Sequence, residues 1–506
     1  MSGQPQYTTD LSAVVEPPTP REIRRVFLGL MIVLGLGAID QSIVATALPR
    51  IVGDLGGITR LSWVVTAYVL ASTSVMPLYG KLSDQYGRKP MLYAAIAIFL
   101  LGSALSGAAQ SLIQLIAFRA VQGLGAGGLL PLSQTIIGDL VPPAERGSKQ
   151  GAIVAVFAVC SVVGPVLGGA ITDLLSWHWI FFINLPIGAI ALAVIAKALR
   201  RPHPNQPRRI DYVGALLLTV STTIFLLVLT LGGSEWPWAS PQIAWGSAAA
   251  ALFAVLFVRH VRRVPEPVLP LDLFDNRTFL IACIVLGFAS MSILGATLFF
   301  PLFFQMVIGV SPAQSGFLTG PLMVGVVISS IVNGRVLRHS GRYKPAQIVG
   351  LVMAVTAFVV LAWGTATAQS LAVIEPSIFA LGLGLGLVMP NMTIAVQNAL
   401  STAHRGVGTA TLAFFRSLGG LIGVTGAGAI LAVQLHKAAN LASAVGVEPS
   451  SWSPQAKAAA LAVYRHAIAT TFITGACVMA VALIVILFLP ELPLRTQVNH
   501  PMARTE

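Results

Sequence analysis

Charge is scarce in this chain: 31 Lys and Arg with 18 Asp and Glu make up 10% of its 506 residues, beside 56% hydrophobic side chains. A solvated globular surface needs about a quarter charged residues, so a soluble domain is excluded. Cysteine is nearly absent too. Cys160, Cys283 and Cys477 all sit in apolar runs, which argues against a disulfide framework and for small apolar packing. No G-x-x-x-x-G-K-[ST] loop, His/Cys metal cluster or nucleophile with a partnering base occurs, so neither an ATP-driven machine nor an enzyme is indicated, and no cofactor or metal is implied. A cleavable signal peptide is not expected either: residues 1–20 are polar and Pro-rich, and the apolar run behind them is long and lacks a small-residue cleavage site.

What the chain does have is long hydrophobic runs. Fourteen of them, between about residues 26 and 489, approach or exceed the roughly 20 residues that cross a bilayer. The expected class is therefore an all-α integral membrane protein with 14 transmembrane helices. If the N-terminus is placed inside, 24 of the 31 positive residues fall in cytoplasmic segments and 5 in outer loops, and Arg119 and Arg416 fall inside spans. This asymmetry predicts an inner (plasma) membrane protein with both termini in the cytoplasm. The net charge of +13 then reflects topology and not nucleic-acid affinity.

The chain also repeats itself. Gly80–Arg88 (GKLSDQYGR) recurs as Gly334–Arg342 (GRVLRHSGR), and Ala144, Arg146 and Gly147 recur as Ala403, Arg405 and Gly406. Gly123, Pro131 and Gly164 likewise return as Gly382, Pro390 and Gly423. The expected organisation is a disordered leader (1–25), a six-helix bundle (26–200), two inserted helices (201–265), a second six-helix bundle (266–490) and a tail (491–506). Parallel repeats of this kind are one plan for secondary transporters, with the substrate held near the midplane between halves.

Five stretches, in order, carry a family resemblance that covers nearly the whole chain. GKLSDQYGRKP (Gly80–Pro90) resembles the major facilitator signature after the second span, LIAFRAVQGLGAGGLLP (Leu115 to Pro131) resembles that family's arginine motif, and SVVGPVLGGAITD (Ser161 to Asp173) resembles its antiporter motif. AIDQSIVATALPRI (Ala38 to Ile51) and WHWIFFINLPIG (Trp177 to Gly188) are similar to the fourteen-span drug:proton antiporter branch. The resemblance implies export of lipophilic, monovalent cationic or neutral compounds by alternating access. It also implies protons and the lipid bilayer as partners, the proton gradient as energy source, and a monomer. Export of lipids or lipid-linked metabolites is the alternative within transporters, and a transport-inactive membrane sensor is the alternative outside them. The abundance of Arg over Lys and of Ala, Gly and Val points to a bacterial source.

Individual residues take roles from their setting. Asp40 is the one acid placed deep in a span, where a carboxylate is costly and functional by default. Arg119 is its expected counter-charge: counted at 1.5 Å per residue from Pro49 and from Leu112, both lie roughly 10 to 14 Å below the outer surface. A static ion pair is the rival reading. Gly80, Asp84, Gly87, Arg88 and Lys89, with Asp139 as a further member, form the expected conformational latch of the outward-facing state. The second-half copy has Arg338 in place of Asp84, which makes that latch asymmetric. Gly164, Pro165, Gly168 and Gly169 are expected to kink the fifth span and bring it against the opposite half. Trp177 and Trp179 are expected at an interface, beside a solvated His178. By analogy with the family, the substrate cavity draws on Phe299, Phe303, Met306, Asn391, Asn398 and Arg416; for Arg416 a structural or gating role competes with substrate contact.

Overall fold

The computed structural model describes residues 19–56, 62–198, 211–233, 235–443 and 454–494. Among these residues the long elements are all helices, and thirteen helical segments are long and apolar enough to cross a membrane. Helix α2 (Ser62–Tyr86) is as long as these but less apolar, and is not among the thirteen. Ser72, Thr73, Ser74, Lys81 and Asp84 lower its hydropathy, but its 25 residues span about 37 Å.

The first bundle comprises α1 (Pro20–Leu55), α2, α3 (Arg88–Gly107), α4 (Leu112–Leu140) and α5 (Pro143–Leu174), followed by the single turn α6 (Trp179–Phe182) running on into α7 (Asn184–Ala198). Helix α4 packs against both α2 and α3, and α1 against α5 and α7. The inserted pair is α8 (Tyr212–Leu231) and α9 (Pro241–Val261). The second bundle comprises α10 (Arg277–Leu302), α11 (Pro312–Ser340), α12 (Lys344–Ala366), α13 (Leu371–Ala399), α14 (Arg405–Ser443) and α15 (Pro454–Leu487). It repeats the first pattern, with α13 against α11 and α12, and α10 against α14. The bundles meet where α5 touches α11 and α2 touches α14. Helix α8 lies along this second seam, in contact with both α2 and α14. It is tied to α2 by Ser74–Thr223 (3.0 Å), and Glu235 beyond its end accepts from the Trp63 indole of α2 (2.8 Å).

Local sequence explains two differences from expectation. The leader expected over 1–25 is helical from Pro20, because Thr19 and Glu22 form a reciprocal cap (2.9 and 3.3 Å) with proline at the first helical position. The rest of that leader, residues 1–18, lies outside the described residues. Pro49 does not end α1, which continues to Leu55; a proline's missing N–H and ring are tolerated in a membrane helix when packing satisfies its neighbours.

The turn of the repeated loop is kept in both copies. Gly87 (φ 95°) and its counterpart Gly341 (φ 66°) both occupy the left-handed region that favours glycine.

Candidate functional site

The deepest polar cluster is built on α1, α4 and the start of α7. Asp40 and Arg119 are both about 1% exposed. The Arg119 Nη1 donates to Asp40 Oδ2 at 2.7 Å, Gln122 Nε2 donates to Asp40 Oδ1 at 2.8 Å, and Asn184 Nδ2 donates to the same oxygen at 2.9 Å. Arg119 also donates to Gln122 Oε1 (2.7 Å) and to the Val64 carbonyl (3.3 Å), and Asn184 donates on to Ser103 (2.9 Å). The guanidinium lies 4.2 Å from the Tyr68 ring centre and 5.8 Å from that of Phe181, so its faces are covered by aromatic π density. These hydrogen bonds and the covering rings are what make two charges tolerable at this depth.

Depth matching along α1 and α4 therefore found a real pair but missed two of its partners. Gln122 stands one helical turn after Arg119 on the same face, and Asn184 stands in an otherwise apolar stretch. Both are amides in segments that otherwise read as lipid-soluble, and that was the available signal. Trp177 is fully buried against Phe181, whereas Trp179 is half exposed. His178 stacks on the Trp177 ring at 3.7 Å.

A second cluster fastens the two bundles together at the end that carries Gly80–Pro90. Asp84 pairs with Arg88 and accepts from the backbone N–H groups of Gly406 (3.1 Å) and Val407 (2.8 Å) in the first turn of α14. A carboxylate there meets unpaired N–H donors and the positive end of the helix dipole. Arg88 reaches Asp139 at 3.0 Å, and Arg405 reaches the other Asp139 oxygen at 2.7 Å from the opposite bundle. Arg405 was legible only as a repeat of Arg146, and here the two copies diverge. Arg146, at the start of α5, caps the preceding α4 through the Val141 (2.8 Å) and Gly138 carbonyls, while Arg405 crosses between bundles. The Lys89 Nζ donates to the Ala196 carbonyl at 3.3 Å. Gly80 lets α2 meet α14, since a Cβ there would lie 2.5 Å from Ala410 Cβ and 2.7 Å from the Gly406 carbonyl. The repeat reproduces this crossing on the other flank, where Gly334 of α11 abuts Gly147 of α5.

The antiporter-motif glycines face a different neighbour from the one expected. A Cβ on Gly164 would meet Ser42 at 2.3 Å and one on Gly168 would meet Thr46 at 2.4 Å, so this stripe seats α5 on α1 of its own bundle. Gly169 faces open space, and α5 runs through Pro165 without a break. The small residues of the motif do permit a close helix contact, but with α1 and not with the opposite half.

Between the bundles lie two connected lobes of about 300 and 460 Å³ that share Ala38, Gln41, Phe157, Met389 and Arg416 in their walls. Of the residues expected to line a cavity, only Arg416 does so. Phe299 and Phe303 are buried in the core of the second bundle, and Met306 is half exposed outside it. Asn391 is locked to Asn333 by paired amides (2.9 and 3.2 Å), and Asn398 donates to the Pro493 carbonyl at 3.2 Å. On α1, Ala38 and Gln41 face the larger lobe while Asp40 points away from it into α4. Tyr68 lines that lobe and covers Arg119, so the wall between the cavity and the ion pair is one side chain thick.

A family model for the Major Facilitator Superfamily matches residues 30–424. The chain belongs to the major facilitator superfamily. It is thus a multi-pass membrane transporter of that family, with two six-helix bundles and an inserted pair. Within the superfamily it is 39% identical over 404 residues to the Multidrug transporter protein MdtP of Bacillus subtilis (strain 168), covering 80% of this chain and 74% of that one. It is 38% identical over 402 residues to Multidrug resistance protein 3 of the same organism, covering 79% and 78%. Its major facilitator fold resembles that of the human organic anion transporter MFSD10 (TETRAN), with a TM-score of 0.64, 18% identity and coverage of 92% and 100%. The proton:xylose symporter XylE is similar at a TM-score of 0.61, 14% identity and coverage of 93% and 96%.

Proposed function

We propose that this chain is a proton-coupled efflux antiporter that exports lipophilic compounds of varied structure by alternating access. The observation that carries the reading is the placement of Asp40, a membrane-buried carboxylate held by Arg119 one side chain behind the inter-bundle cavity. Three N–H donors, one of them from the Arg119 guanidinium, converge on Asp40 in this state. In this reading the proton is loaded in the other state of the cycle, when the bundles have rocked and Arg119 has moved off Asp40. The Asp84–Arg88–Asp139–Arg405 cluster closes one end of the cavity and has to break when the bundles rock. By the positive-inside rule that end faces the cytoplasm, which makes the described state the outward-facing one, in the plasma membrane with cytoplasmic termini. The names of the two Bacillus relatives support multidrug export. Among the described residues the cavity walls carry a guanidinium and no carboxylate, which favours the neutral side of the expected substrate range over its cationic side.

The test is expression in a bacterium stripped of its own drug exporters. Wild type should raise tolerance to several unrelated lipophilic compounds at least about fourfold, and Asp40→Asn should abolish the gain at equal membrane abundance. Full protection by Asp40→Asn would move the proton site elsewhere, and no protection by wild type would remove multidrug export.

A further inference from the structure

Arg416 is the feature that the efflux reading leaves unused. It projects from the first half of α14 into both lobes of the cavity, and among the described residues it is the only charged side chain in their walls. Among the described residues it makes no hydrogen bond or ion pair, and no acid is close enough to act on it. This sets it apart from the other arginines at comparable depth or burial: Arg119 is bound to Asp40, Arg146 caps α4, and Arg405 holds Asp139. A half-buried guanidinium with five donors and no acceptor is an expensive thing to keep beside a cavity unless something brings the acceptor.

Other donors in the same walls are idle as well. Gln150, in the smaller lobe with Arg416, is 3% exposed and its Nε2 has no hydrogen-bond partner. Ser290, in the larger lobe, is 2% exposed and its hydroxyl is likewise unpartnered. The rest of the lining is apolar and adaptable, with Met76, Met323, Met389, Phe157 and Ile293 among its members. Such a surface accepts many hydrophobic shapes, and an arginine fork recognises a carboxylate through paired hydrogen bonds.

We infer that the cavity binds lipophilic monocarboxylates, the carboxylate on Arg416 with Gln150 as a second donor, and the hydrophobic body along the methionine- and phenylalanine-rich wall. The assignment rests on the efflux reading for the direction of transport but not for binding. If each carboxylate leaves in exchange for one entering proton, two units of positive charge are effectively moved inward, so an inside-negative potential drives both movements.

The test uses the purified full-length protein in detergent, with pyrenebutyrate and its neutral methyl ester as fluorescent probes matched in shape. Wild type should bind the carboxylate about tenfold or more tightly than the ester. Arg416→Gln should erase that preference while ester binding persists, which also shows that the variant is folded; Arg416→Lys should retain part of it. Equal or tighter binding of the ester by wild type overturns the assignment, as does loss of both probes to the same extent in a folded Arg416→Gln. Substrate-driven proton movement is read separately in vesicles. A preserved carboxylate preference without proton flux sinks the antiport reading and leaves this one standing, while flux without the preference does the reverse.

Discussion

Replacing Arg119 by leucine should leave a protein that reaches the membrane poorly and melts well below wild type in detergent, whereas Asp40→Asn should be far milder. The asymmetry follows from what each change strands. Without Arg119, the Asp40 carboxylate stays buried with two amide donors and no counter-charge. Breaking a buried pair from one side costs about 3–5 kcal/mol. In Asp40→Asn the guanidinium keeps Gln122, the Val64 carbonyl and the Tyr68 face. The double variant Asp40→Asn with Arg119→Leu should recover a good part of the loss, because neither charge is then left alone. Thermal melting of the four proteins closes the cycle. If Arg119→Leu and the double variant are equally impaired, the pair does not couple and the leucine acts through packing alone.

Gly80→Ala should prevent the bundles from closing at the Asp84 end. The added methyl would sit 2.5 Å from Ala410 Cβ and 2.8 Å from Val407 Cα, and neither can swing aside as the end of a flexible side chain can. Overpacking of this kind costs about 1–3 kcal/mol, and each 1.4 kcal/mol shifts a two-state population about tenfold. Spin labels at the exposed positions Tyr86 and His404, on opposite bundles, read the distance directly. Wild type should give a short distance population, and Gly80→Ala should move most of it to longer distance and cut transport by an order of magnitude. Asp84→Asn should shift the same equilibrium less, since it weakens hydrogen bonds to α14 without adding bulk. An unchanged distance distribution in Gly80→Ala would mean that this crossing does not set the closed state.

The fold was legible because a membrane helix announces itself by length and apolarity, and because charged loops repeat where apolar helices do not. The ion pair was legible for a related reason: Asp40 and Arg119 stand out where nearly everything else is apolar. The facing of each helix was not legible. In water, the buried face of a helix is its apolar face. In a bilayer the lipid face, the core face and the cavity wall are all apolar, so Phe299 and Phe303 could be assigned to a cavity although they fill the second bundle's core. The same loss of contrast turned Gly164 and Gly168 toward the wrong neighbour, and it hid Gln122 and Asn184 inside motifs recognised for other residues. Arg405 was hidden by the repeat itself, because two copies of one motif now bond differently.

The coupling of Asp40 to transport is tested most directly in acid-loaded proteoliposomes carrying a lumenal pH dye, with wild type beside Asp40→Asn and protein-free vesicles as the baseline. Addition of chloramphenicol, a neutral lipophile, or of pyrenebutyrate should dissipate the gradient in wild type and leave the variant at the baseline. Dissipation by Asp40→Asn at the wild-type rate would contradict the account, because protons would then be crossing without the carboxylate that Arg119 holds.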